Sequence, residues 1–120
     1  MTLVRLKKHR DFIEMRDAPL KAFTKSFVLQ LRPNEEGIIR SGFTVSKQIS
    51  KLAVVRNRLR RQMREIVRLS DNLRERYPSC DLVLIARSEA LNRDYEQLTK
   101  DFAYLLDHLR EDADVEKDNG

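Results

Sequence analysis

The residues best equipped for chemistry in this sequence are the arginines of one short run, Arg56-Asn57-Arg58-Leu59-Arg60-Arg61-Gln62-Met63-Arg64-Glu65-Ile66-Val67-Arg68. Six arginines and a single acid share these thirteen positions. A guanidinium is planar, stays charged, pairs two-pronged with phosphate and stacks on bases. The chemistry in view is therefore recognition of a polyanion. Asn57 adds a donor and an acceptor suited to a sugar, a base edge or a backbone group. A run of charge is most often a solvated face balanced by nearby acids. Here Glu65 is the only acid in the run, and an unbalanced like-charged face destabilises the fold. Nucleic-acid binding is the better reading, and Lys47 and Lys51 extend the positive surface.

No other constellation competes. His9 and His108 are far apart and neither stands near a cysteine in a metal-ligand spacing. Cys80 follows a turn and precedes an apolar run, which reads as a structural thiol rather than a nucleophile. The glycines are Gly37, Gly42 and Gly120, so there is no phosphate-cradling glycine loop. A single cysteine excludes an internal disulfide and fits a reducing, cytoplasmic compartment. No segment reaches the apolar length of a membrane span, and residues 1–10 lack the apolar core of a secretory signal.

The elements that must position the arginines follow from periodicity. At about 100° per residue, Leu52, Val55, Leu59, Met63, Ile66 and Val67 fall on one side of a helix over 53–69. Arg60, Arg61, Arg64 and Arg68 fall on the adjacent side with Asn57 among them, while Arg58 points elsewhere, near Glu65. The run is thus a rigid helix with one face for a core and another for an anion. Upstream, Phe12, Ile13 and Met15 among charges suggest a short helix over 8–16, broken by Ala18-Pro19. Residues 26–32 alternate as a strand, with Phe27, Leu29 and Leu31 on one side. Pro33-Asn34-Glu35-Glu36-Gly37 reads as a hairpin loop into a second strand over 38–46, where Gly42 suits a bulge or a close approach and Phe43 belongs to the core. Residues 81–87 are almost continuously apolar, as in a strand buried on both faces. A last helix begins near Asp94, with Gln97 completing a capping box and Tyr95, Leu98, Phe102, Leu105, Leu106 and Leu109 forming its stripe.

Charge divides the chain. Residues 1–68 hold 17 Lys/Arg and 6 Asp/Glu, a net of +11, whereas residues 69–120 hold 7 and 13, a net of −6. The expected organisation is one domain over 1–110 and an acidic, disordered tail over 111–120. The expected fold is α+β: a single-domain α-β-β-α-β-α sandwich on a small sheet. Its last two strands are joined by a helical crossover, which is normally right-handed when such strands run parallel.

Several of these pieces resemble the protein subunit of bacterial ribonuclease P. They are Gly42-Phe43-Thr44-Val45-Ser46-Lys47, then Ala53-Val54-Val55-Arg56-Asn57-Arg58-Leu59-Arg60-Arg61 and Arg64-Glu65. Leu6-Lys7-Lys8, Asp11-Phe12, Phe27-Val28-Leu29, Asp81 to Arg87 and Tyr95-Glu96 extend the likeness over roughly residues 5 to 109. The resemblance implies a left-handed crossover, like that of ribosomal protein S5 domain 2, against the general rule. It implies a protein that assists a catalytic RNA in removing the 5′ leader of precursor tRNA. The Mg²⁺ ions would be held mainly by the RNA, none by the protein alone, and no membrane or obligate protein partner is implied. Carried onto this chain, Arg56, Asn57, Arg58, Arg61 and Arg68 would bind the catalytic RNA. Phe12, Arg16, Gln30, Lys47, Arg60 and Arg64 would serve the leader.

The sequence also departs from the family's pattern. Arg16 and Gln30 stand where the family often has aromatics, which implies more polar leader contacts. Gln48 replaces a lysine, Ser50 a common glycine, and the segment between Lys47 and Arg56 is one residue longer than in some members. A plain RNA-binding module and a nuclease acting alone are the alternatives, the latter opposed by the missing acid–base constellation.

Overall fold

The computed structural model describes residues 3–6, 15 and 18–111. The strands are β1 (Val4–Arg5), β2 (Leu20–Phe23), β3 (Phe27–Pro33), β4 (Ile39–Thr44) and β5 (Cys80–Ala86). The helices are α1 (Ala53–Arg68), α2 (Asp71–Arg76) and α3 (Tyr95–Asp107), and a 3-10 turn spans Ser88–Asn92. They form one mixed sheet, ordered β1-β4-β5-β3-β2, with helices packed against it, the expected α+β architecture.

The apolar runs explain the layering. In β3, Phe27, Leu29 and Leu31 are fully buried while Val28, Gln30 and Arg32 are only half-buried, as the period of two requires. The inward row meets Leu82 and Leu84 of β5, then Leu59, Met63, Ile66 and Val67 of α1 and Leu98, Phe102, Leu105 and Leu106 of α3. A second, smaller cluster of Leu6, Met15, Ala18 and Val83, with Ile85 against it, covers the other face of β5. The central strand is therefore buried on both sides, as its near-continuous apolar run implies. The Asp94–Gln97 capping box closes the start of α3 as expected, with Gln97 N–H donating to Asp94 Oδ1 at 2.8 Å and Asp94 N–H to Gln97 Oε1 at 3.0 Å.

Several expectations need correction. Residues 33–37 are not a hairpin loop, because β3 and β4 do not pair with each other. The strand β5 lies between them, antiparallel to β3 and parallel to β4. The loop instead arches over the start of β5, where Asn34 N–H donates to Ser79 O at 3.0 Å and Gly37 N–H to Ser79 Oγ at 2.9 Å. Gly37 supplies the bend with a φ of 70°. Gly42 makes no bulge, since the β4–β5 register runs unbroken from Ile39↔Cys80 to Thr44↔Ile85. The sequence reading missed β1, β2 and α2, the last begun by Ser70, whose side chain accepts from Leu73 N–H. Leu52 is 63% exposed, as the residue capping α1 rather than part of its buried stripe. Tyr95 is also largely exposed, and Phe43 is only partly buried. The expected helix over 8–16 lies, apart from Met15, outside the described residues, as does the expected tail beyond Glu111.

One buried group was not anticipated. Asp81 has no exposed surface, and its carboxylate joins three strand ends. Arg40 of β4 donates to both its oxygens at 2.7 and 2.8 Å, Arg32 of β3 to Oδ2 at 3.1 Å, and Asn34 to Oδ1 at 2.8 Å. Burial pushes the carboxyl up, but the hydrogen bonds from Arg40, Asn34 and Arg32 outweigh it and hold Asp81 below its ordinary value.

Candidate nucleic-acid interface

The helix α1 is anchored before it is charged. Its four fully buried side chains, Leu59, Met63, Ile66 and Val67, fix it against the sheet. Its start is set by the segment after β4: Ser50 Oγ accepts Leu52 N–H at 3.2 Å, and Leu52 O accepts from Val55 and Arg56 N–H at 3.1 and 3.2 Å. The first turn of α1 holds no acid, so the positive end of the helix dipole adds to the field of Arg56 and Arg58. Such an end attracts anions.

The arginines separate into groups that a helical wheel does not distinguish. Arg58 and Arg61 are exposed and have no hydrogen-bond or ion-pair partner among the described residues. Arg56 is half-buried and donates to Ser50 O at 2.8 Å. Arg60 turns onto the sheet, donating to Asn57 Oδ1 at 2.7 Å and Val45 O at 3.2 Å. The Asn57 amide N–H₂ remains available to a partner. Arg64 places its guanidinium 5.8 Å from the centre of the Phe43 ring. Arg68 pairs with Glu65, which lowers the Glu65 pKa and raises that of Arg68 through the hydrogen bond between them. The expected shared face of Arg60, Arg61, Arg64 and Arg68 is therefore split, because Arg60 finds acceptors on Asn57 and just past β4, Arg64 finds a ring on β4, and Arg68 finds a carboxylate one turn back.

Of the residues expected to serve an RNA leader, Lys47 is exposed in the turn before α1 and has no described partner. Gln30 is half-buried beside Lys21 and Val83, on the sheet face opposite α1 and two strands away from β4. The described residues thus do not bring Gln30 together with Arg60 and Arg64. Phe12 and Arg16 lie outside the described residues.

Arg60 and Arg64 instead meet residues that sequence reasoning missed. With Arg5, Leu6, Ser41, Gly42 and Phe43 they line a cleft of about 120 Å³ between the β1–β4 edge and α1. Only the register of β1 on β4 brings Arg5 beside Ser41. No local signal could have found that pair.

The described residues offer binding groups rather than a hydrolytic centre. None of them form a group of three or more His, Cys, Asp or Glu able to hold a metal ion. Cys80 is buried, and desolvation, with the charge of Asp81, pushes its thiol up to about 12. His108 stacks on Tyr104 at 3.8 Å with its Nδ1 2.8 Å from Tyr104 O, at the far end of α3. No helix among the described residues is long and apolar enough to cross a membrane.

Comparison with known proteins agrees with this geometry. Residues 2–110 match the model of the family described as Ribonuclease P. The chain is 34% identical over 106 residues to the ribonuclease P protein component of Citrifermentans bemidjiense, covering 88% of each chain. It is 40% identical over 87 residues to that of Idiomarina loihiensis, covering 72% of this chain and 67% of the relative. Among solved structures, the RNase P protein of Staphylococcus aureus superposes with a TM-score of 0.73 at 27% identity, covering 86% of this chain and 92% of the other. The Thermotoga maritima protein gives 0.73 at 29% identity, covering 85% and 94%.

Proposed function

The chain belongs to the ribonuclease P protein family, and from that premise we propose that α1 docks on the catalytic RNA while the surfaces around the β1–β4 edge and the far face of the sheet hold the 5′ leader of precursor tRNA. The protein is a subunit of the ribonucleoprotein endoribonuclease that processes tRNA. The observation that carries the docking proposal is the pair Arg58 and Arg61, exposed and without a partner among the described residues, on a helix whose other side is locked into the core. Rigid presentation lowers the ordering cost of binding, and unpaired guanidiniums gain most from phosphate. Arg56 and Asn57 flank them at the positive end of the helix, and Arg68 shares its guanidinium with Glu65. Arg60, Arg64 and Lys47 meet the leader on the sheet side of α1, Gln30 meets it from the opposite face, and Phe12 and Arg16 serve it as the family resemblance implies.

In this reading the protein cleaves nothing by itself. It contributes by holding substrate near the RNA's reacting groups and by offsetting phosphate repulsion, while Mg²⁺ stays with the RNA subunit. The complex works in the cytoplasm and away from membranes. The test is leader dependence. The protein is assembled with a bacterial ribonuclease P RNA, and affinity is measured for precursor tRNAs with leaders of increasing length and for leaderless tRNA. Affinity should rise with leader length, and Phe12→Ala should remove most of that rise while sparing leaderless tRNA. Equal affinity for all substrates would sink the leader role, and an equal loss on leaderless tRNA would mean that Phe12 acts in packing rather than on the leader.

A further inference from the structure

The cleft between the β1–β4 edge and α1 contains a feature that the arginines alone do not explain. Ser41 is only 3% exposed, yet its hydroxyl has no hydrogen-bond partner among the described residues. Buried polar groups are almost always paired. No described side-chain polar atom is both sealed from solvent and unpartnered, so the small exposure that Ser41 keeps opens into the cleft it lines. Three guanidinium-bearing residues line the same cleft from two elements: Arg5 on β1, Arg60 and Arg64 on α1. No carboxylate among the described residues lines it. Two of the three are already oriented, Arg60 by Val45 O and Asn57, and Arg64 by the Phe43 ring. At about 120 Å³ the cleft is about four times the share of liquid volume taken by one water, about 30 Å³, which suits a compact anion.

We propose that this cleft is a seat for one backbone phosphate of RNA, with the Ser41 hydroxyl donating to a phosphate oxygen from the floor and Arg5 closing the outer side. The proposal rests on the functional reading above and deepens it by naming Arg5 and Ser41 as binding residues beside Arg60 and Arg64. Serine hydroxyls and arginines are the ordinary partners of phosphate oxygens.

The test uses the whole chain with Ser41→Ala and Arg5→Gln. Because the Ser41 hydroxyl makes no hydrogen bond among the described residues and Arg5 is exposed, both variants should melt like the parent. Binding of a fluorescent single-stranded oligoribonucleotide is followed against salt, and the amide resonances of Ser41 and Gly42 are followed with that RNA and, separately, with inorganic phosphate. Ser41→Ala should weaken RNA binding about tenfold, in line with loss of a hydrogen bond to a charged group. Arg5→Gln should reduce the salt slope by about one. The Ser41 and Gly42 resonances should move with RNA. Parental affinity and slope in both variants would overturn the seat, and so would resonances that move with phosphate but not with RNA. If the parent still stimulates leader cleavage under those outcomes, only the seat fails. A parent that binds no RNA at all would sink the functional reading instead.

Discussion

Replacing Asp81 with asparagine should reveal how the sheet is held in the order that places α1. The carboxylate is fully buried and receives hydrogen bonds from Arg40, Arg32 and Asn34, tying β4 to β5 and β5 to β3. Breaking a buried ion pair by removing one partner costs about 3–5 kcal/mol. The side chains of Arg32 and Arg40 are 25% and 26% exposed and keep other interactions, and asparagine retains one acceptor, so the loss falls below that range. We expect about 2–3 kcal/mol. With a urea slope of about 1.3 kcal/mol per molar for a chain of this size, the midpoint falls by about 2 M. The effect has a definite pH dependence. Asp81 has a folded pKa below its unfolded one, so its contribution is fully present above the unfolded value of about 3.9 and is lost as pH falls through the folded value. The gap between parent and variant should be constant from pH 7 to pH 5 and shrink below pH 4. A midpoint shift under about 0.5 M, or a gap that grows on acidification, would refute this account of the buried hub.

Three further outcomes follow from the same structure. Arg61→Ala should weaken binding to ribonuclease P RNA and lower the salt slope by about one, because Arg61 is exposed and unpartnered; an unchanged slope in a salt titration would exclude a phosphate contact there. Arg68→Ala should lower affinity less than Arg61→Ala, since Glu65 already occupies its guanidinium; the reverse order in the same titration would mean that the pair opens on binding. Cys80 should resist a thiol reagent at pH 8 in the folded protein and react within minutes in urea, because its thiol is buried and pushed up to about 12; rapid native labelling would contradict that burial.

The legible parts of the fold were those encoded locally. The alternation of Phe27, Leu29 and Leu31, the helical stripe of Leu59, Met63 and Ile66, and the Asp94–Gln97 box each depend on neighbours in sequence. The failures were non-local. A turn-rich segment between two strands reads as a hairpin, and nothing within residues 33–37 reveals that a strand from residue 80 onward will separate β3 from β4. The strand β2 is four residues long and carries Lys21, so its pattern is too short to show a period, and only pairing with β3 defines it. Asp81 reads as a tolerable charge at the start of an apolar strand until Arg32 and Arg40 are brought alongside it.

The site divides in the same way. The arginine density of α1 and its resemblance to the ribonuclease P family were plain in the sequence. Which arginines are free was not, because Arg60 finds a partner just past β4 and Arg64 one on β4, and Arg5 and Ser41 meet them only through the pairing of β1 with β4. The splitting of the helix into outward Arg58 and Arg61 and sheet-facing Arg60 and Arg64 is a product of tertiary contact, not of helical spacing.

The central claim, that this chain acts as the protein subunit of an RNA enzyme, is tested most directly by cleavage of precursor tRNA at low Mg²⁺ and moderate salt. The purified protein, a bacterial ribonuclease P RNA, and the two together are each incubated with the substrate, and the product's 5′ end is mapped. The account predicts correct 5′ cleavage in the mixture, with little from the RNA alone under these conditions and none from the protein alone. Cleavage by the protein alone, or a mixture no faster than the RNA, would contradict it.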